Sequence, residues 1–171
     1  MLTQGLKTTF TKLFVCAAAV GTVVALWDGA ADATTRCRNV NGRFDLLPVE
    51  GPACTSPVGV CGRGTFRGEV RGDYFSLLTS LVPSADTAQT GVVLITGDTV
   101  LEARMGHRTG DLFFKDSGAF STVGDGEFAE LFTIVGGTEE FDGATGTLFL
   151  IGTYDFAAGG VGTYEGRVCI P

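Results

Sequence analysis

The sequence predicts an all-β fold, an eight-stranded antiparallel up-and-down β-barrel, and three observations carry that prediction. From Cys61 onward the pattern is β throughout, because Gly, Thr, Val and Phe dominate and glycines interrupt every window long enough for a helix. The connections are short and rich in Gly, Asp and Ser, as hairpins require. No dozen-residue helical crossover is present to support parallel pairing. A meander of this length loses its exposed edges by closing on itself.

The elements follow in order. Residues 1–33 read as a secretory signal peptide: Lys7 and Lys12 give a basic start, "LFVCAAAVGTVVALW" an apolar stretch, and "AADA" a cleavage site. That stretch is short for a bilayer span of roughly 20 residues, so no stable membrane anchor is expected after cleavage. The expected location is secreted or periplasmic. Residues 34–60 lack a sustained period and read as an irregular N-terminal arm. Residues 61–171 form the barrel domain, with strands expected at 62–71, 73–82, 91–97, 99–105, 110–115, 126–135, 146–155 and 161–169. "KDSGAFSTVGDG" extends the fifth strand or forms its return.

In the first of these strands Thr65, Arg67, Glu69 and Arg71 share a wet face, opposite Phe66, Gly68 and Val70. The last strand is similar, so closure would bring these charges together. "VVLIT", "LFTIV" and "LFLI" are apolar on both faces. One face fills or lines the barrel; the other needs cover from the arm or from another subunit.

The formal net charge of −7 and the scarcity of lysine (Lys115 alone beyond the leader) argue against nucleic acid as a partner. Four cysteines remain after the leader: Cys37, Cys54, Cys61 and Cys169. In an exported chain they predict two disulfides. If the strand beginning at Cys61 closes against the one ending at Cys169, these two pair, and Cys37–Cys54 clips the arm. A single histidine and no close cysteine pair leave no basis for a zinc site. No nucleophile elbow, phosphate loop or dinucleotide fingerprint is present, and no cofactor is expected.

"IVGGTEEFDGATGTLFLIGTY" joins two strands through Gly136, Gly137, Thr138, Phe141, Gly143 and Gly146. Glycines allow positive φ and close approach of backbones, and Phe141 is placed to fold back as a plug. An anion-binding loop is disfavoured because no helix follows and no lysine stands near. This segment resembles the GGTGxFxxAxG segment of the dirigent proteins and the related segment of the allene oxide cyclases. It departs from that pattern at Glu139, where glycine is common. "SPVGVCGRGTFRGEVRGDYF" resembles the first strands of secreted bacterial members of the same superfamily. The resemblance implies an eight-stranded antiparallel barrel, usually a homotrimer, that closes or steers a small apolar molecule. No catalytic residue of those families can be carried over by position.

Glu130 shares a strand face with Phe128, Phe132 and Ile134. A carboxyl among apolar neighbours has a raised pKa and suits acid–base work; on an outer face it would instead pair at a subunit contact. Glu102 and Arg104 are candidates for a barrel-mouth pair, or for a solvated ion pair. His107 reads as a hairpin tip. Tyr74, Tyr154 and Tyr164 are candidates to hydrogen-bond a ligand, or to pack with one partner each. The expected function is a barrel that binds or guides a small apolar molecule, with cyclase or isomerase chemistry as an extension. The alternative is a structural or interaction protein whose barrel is filled by side chains.

Overall fold

Eight strands close into one barrel, with each strand antiparallel to the next and the last paired to the first. A computed structural model of the chain describes residues 35–171; the expected signal peptide lies outside them. The strands are β1 (Arg36–Val49), β2 (Cys61–Gly68), β3 (Gly72–Pro83), β4 (Val92–Met105), β5 (Arg108–Ser121), β6 (Glu127–Gly137), β7 (Thr145–Asp155) and β8 (Gly159–Ile170). One helical turn, Thr87–Thr90, lies between β3 and β4.

Two assignments change. The segment read as an irregular arm contains β1, a full barrel strand. Its inward positions Val40, Gly42, Phe44 and Leu46 face Gly166, Tyr164, Gly162 and Gly160 of β8. The expected strands 91–97 and 99–105 are one strand, β4, which runs through Gly97–Asp98 without a turn. Gly97 is an inward position opposite Asp116, not a hairpin corner.

β1 also rewires the disulfides. It lies between β2 and β8, so Cys37 falls in register with Cys169 and bonds to it. Cys54 bonds to Cys61, seven residues on, and closes the connection from β1 to β2. The expected Cys61–Cys169 and Cys37–Cys54 pairs are therefore replaced. For the same reason the charges of β2 do not meet those of β8. Arg67 pairs with Asp45, and Arg38 with Glu69, across the β1–β2 seam.

The two barrel ends differ. One carries the β2–β3, β4–β5 and β6–β7 connections and is closed. Phe141 is fully buried there, among Leu112, Ile134, Leu148 and Val168 in the core. Its seat is built by the glycine-rich connection. A Cβ on Gly137 would come within 2.6 Å of the Phe141 carbonyl oxygen and 2.4 Å of the Asp111 oxygen, so only glycine fits. Thr138 ties the connection to the start of β5: its Oγ1 accepts from the Asp111 N–H at 2.8 Å, and its own N–H donates to the Asp111 carbonyl. Glu139 has φ 53°, the left-handed region that favours glycine, which accounts physically for glycine at this place in the motif it resembles. Replacing Phe141 by alanine removes a fully buried ring and leaves a cavity. The expected loss is about 3–5 kcal/mol, read from the urea midpoint at unchanged slope.

The other end carries the β1–β2, β3–β4, β5–β6 and β7–β8 connections. A register shift between Leu78 and Ser80 in β3 inserts one residue, so Leu78 and Leu81 both face inward here. This end is open.

Candidate functional site

A cavity of about 70 Å³ opens at this end. Leu46, Leu78, Leu81, Ile95 and Phe128 supply its apolar wall. Ser76 and Glu130 supply polar groups from β3 and β6. At the rim stand Phe120, Tyr154 and Phe156, packed edge-on with ring centroids 5.3–6.4 Å apart. Among the described residues no lysine, arginine or histidine lines the cavity.

Glu130 reaches the interior because β6 places it in phase with Phe128 and Phe132, both buried. Its cross-strand partner on β5 is Gly118. A Cβ at Gly118 would lie 2.7 Å from Glu130 Cγ, so the absent side chain is what gives the carboxyl stem its space. Burial pushes the Glu130 carboxyl up to about 8, and the neighbouring Asp116 adds to the rise.

Asp116 is the site residue that the sequence reading missed. It is 4 % exposed and points inward from β5, in phase with Phe114 and Phe120. Thr99 Oγ1 donates to its Oδ2 at 2.6 Å, whereas Oδ1 has no partner. Burial raises its pKa to about 7, against the pull of the Thr99 hydrogen bond. Two carboxyls of raised pKa thus share one interior, and both are largely protonated near pH 6. The signal lies in "LFFKDSGAFS": the alternation of Leu112 and Phe114 runs on through Asp116 to Phe120, in the stretch whose sequence leaves extension and return of the fifth strand open.

Of the expected ligand-binding residues, only Tyr154 joins Glu130 at the cavity. Tyr74 is buried and its hydroxyl donates to the Asp45 carbonyl at 2.9 Å; burial raises its pKa. Tyr164 is buried beside Phe66, and its hydroxyl accepts from the Val70 N–H and donates to the Val70 carbonyl. Both tyrosines have their partners within the fold. Glu102 and Arg104 point outward from β4 toward the closed end, so the mouth pair expected of them is not formed. Arg104 instead pairs through its backbone with Arg71. His107 sits exposed in the β4–β5 turn. Among the described residues no group of His, Cys, Asp and Glu is placed to hold a metal ion.

The fold and site define a closed eight-stranded antiparallel β-barrel with an apolar, acid-bearing cavity at one end. Among solved structures the chain is similar to a pterocarpan synthase dirigent protein, at 15% identity over 80% of this chain and 86% of that one, with a TM-score of 0.34. No family model and no curated protein matches it.

Proposed function

We propose that this protein is a secreted or periplasmic barrel that binds a small, mainly apolar molecule by inserting one end of it into the open-end cavity. The observation that carries this reading is the cavity itself, an apolar recess holding a carboxyl for which no neutralising side chain is supplied. The two disulfides suit an oxidising compartment. Among the described residues no helix is long and apolar enough to cross a membrane.

Any chemistry at this site would use Glu130 as the proton donor, because its carboxyl holds its proton at neutral pH. The donor is present below about 8 and is lost as pH rises through that value. Turnover of an identified substrate should fall along the same limb. Glu130→Gln, which keeps the shape and removes the acid, should lower kcat by about 10²–10⁴-fold. Full activity in that variant would remove Glu130 from the chemistry.

The alternative, a filled structural barrel, has one observation in its favour. The interior rings leave only about 70 Å³, below the roughly 300 Å³ at which drug-sized sites begin. Native mass spectrometry of the exported chain separates the two. A mass excess that disappears on denaturation supports a carried ligand, and a clean apo mass from complex medium favours the filled barrel.

The same spectrum tests a homotrimer, the second part of this proposal. Leu131 and Phe149 are cross-strand neighbours on the outer face of β6 and β7, 42% and 45% exposed, with Val135 and Ile151 also exposed on these strands. With the expected arm built into the barrel as β1, a second subunit is left as their cover. A monomer at micromolar concentration would overturn that part.

A further inference from the structure

We propose that the molecule this cavity takes is a small protonated amine, its ammonium beside Glu130 and its apolar body among Phe120, Tyr154 and Phe156. This rests on reading the cavity as a ligand site and adds the chemical class of the ligand.

The argument begins with charge. The titratable groups that face Glu130 are Asp116 from β5, Tyr74 from β3 and Tyr154 from β7, and every one is acidic. Among the described residues no cationic side chain lines the space. An anionic ligand would add a third negative centre to this interior. A neutral one would leave both carboxyls uncompensated whenever they ionise. An ammonium offers three donors. Glu130 has no hydrogen bond contributing to its state, and Asp116 Oδ1 is an acceptor without a donor although the residue is 4 % exposed. Buried acceptors are ordinarily satisfied, and of the two carboxyls it is Glu130 that lines the cavity, where an entering donor meets it.

Size and shape agree with this. About 70 Å³ has room for an ammonium and its adjoining methylene groups, not for a whole ring system. The rim supplies what the rest of such a molecule needs: three aromatic rings in mutual edge-on packing, with Phe156 itself 49% exposed. The charged end therefore goes in and the apolar end stays at the mouth.

The pH dependence separates this ligand from a neutral one. Bound ammonium stabilises ionised Glu130, so binding releases a proton and tightens as pH rises toward 8. A neutral hydrogen-bond acceptor uses the protonated acid and weakens over the same limb.

The test is a titration of the full exported chain with benzylamine and, separately, its neutral analogue benzyl alcohol, followed by NMR shifts between pH 6 and pH 8. We expect benzylamine to tighten more than about tenfold across that range, in line with the ionised fraction of an acid titrating near 8. At pH 8 it should bind at least about tenfold better than the alcohol. Glu130→Gln should abolish the preference and the pH dependence, and Phe156→Ala should weaken both probes because it removes the shared apolar contact. Phe156 is a half-exposed turn residue, so the second variant tests location even if the first folds poorly. If the alcohol binds as well as the amine or better, the amine assignment is overturned and the binding barrel stands. If neither probe binds, both are overturned.

Discussion

Replacing Cys37 and Cys169 together by alanine should cost about 5 kcal/mol of stability, the largest effect expected of any covalent change in this chain. The bond joins residues 132 apart in sequence, and on the chain-entropy account the stabilisation grows with the logarithm of the loop it closes. For a domain of this size the melting temperature should fall by roughly 15 °C. The location sharpens the prediction. Cys37 and Cys169 are register partners on β1 and β8, the seam at which first and last strands close the barrel. Without the bond, closure still has its ladder of backbone hydrogen bonds, but the unfolded chain regains nearly its whole conformational freedom. The Cys54–Cys61 bond spans only seven residues and should be worth about 2 kcal/mol on the same account. Thermal melts of the two double-alanine variants measure the contrast. Equal losses would mean that the bonds act through native packing around buried Cys61, not through the unfolded state.

How far the fold was legible depends on where the alternation was clean. In β6 the inward places are all large (Phe128, Glu130, Phe132 and Ile134), and in β7 Leu148, Leu150 and Tyr154 keep one phase, so the period shows through. β1 hid because two of its inward places are Gly42 and Pro48, while Asn39 and Asn41 suggested turns. β4 was divided because "TGD" has hairpin chemistry, although Gly97 is there to sit opposite Asp116. One missed strand and one false division cancelled in the count of eight. They did not cancel in the topology, and the disulfide pairing inherited the error. A seam between first and last strands can be read only when the first strand is known.

The site shows the same dependence. Glu130 stood out because Phe128, Phe132 and Ile134 flank it at alternate positions in a strand correctly bounded. Asp116 did not, because it stands in "KDSGAFSTVGDG", where the sequence leaves open whether the fifth strand extends or turns back. Phe156 carries no period at all, since it stands in a turn, and its place at the rim follows only from how β7 and β8 meet. Glu102 and Arg104 had the right alternation but the opposite face, because a pattern of period two marks two sides without saying which is inside.

The two interior carboxyls should also make this protein most stable in mild acid and progressively less stable toward pH 9. The sign follows from linkage. Asp116 and Glu130 have folded-state values of about 7 and about 8, raised chiefly by burial, against 3.8 and 4.5 when free. Between the free and the folded values the native state holds protons that the unfolded state has released, so stability falls as pH rises. The stabilisation relative to high pH is whole below about 4, declines through the window, and levels off above about 8. The total loss from pH 5 to pH 9 should be on the order of 4 kcal/mol, allowing for solvent reaching Glu130 through the open cavity. Urea midpoints at each pH unit, at constant slope, measure it. Glu130→Gln and Asp116→Asn should each remove part of the dependence, and the double variant should flatten it. Asp116→Asn keeps an acceptor for Thr99, so a change in its pH slope reports the charge and not the hydrogen bond. A midpoint that rises from pH 5 to pH 9 would mean that the two carboxyls are ionised and paired in the folded protein, and their role as proton holders would go with it.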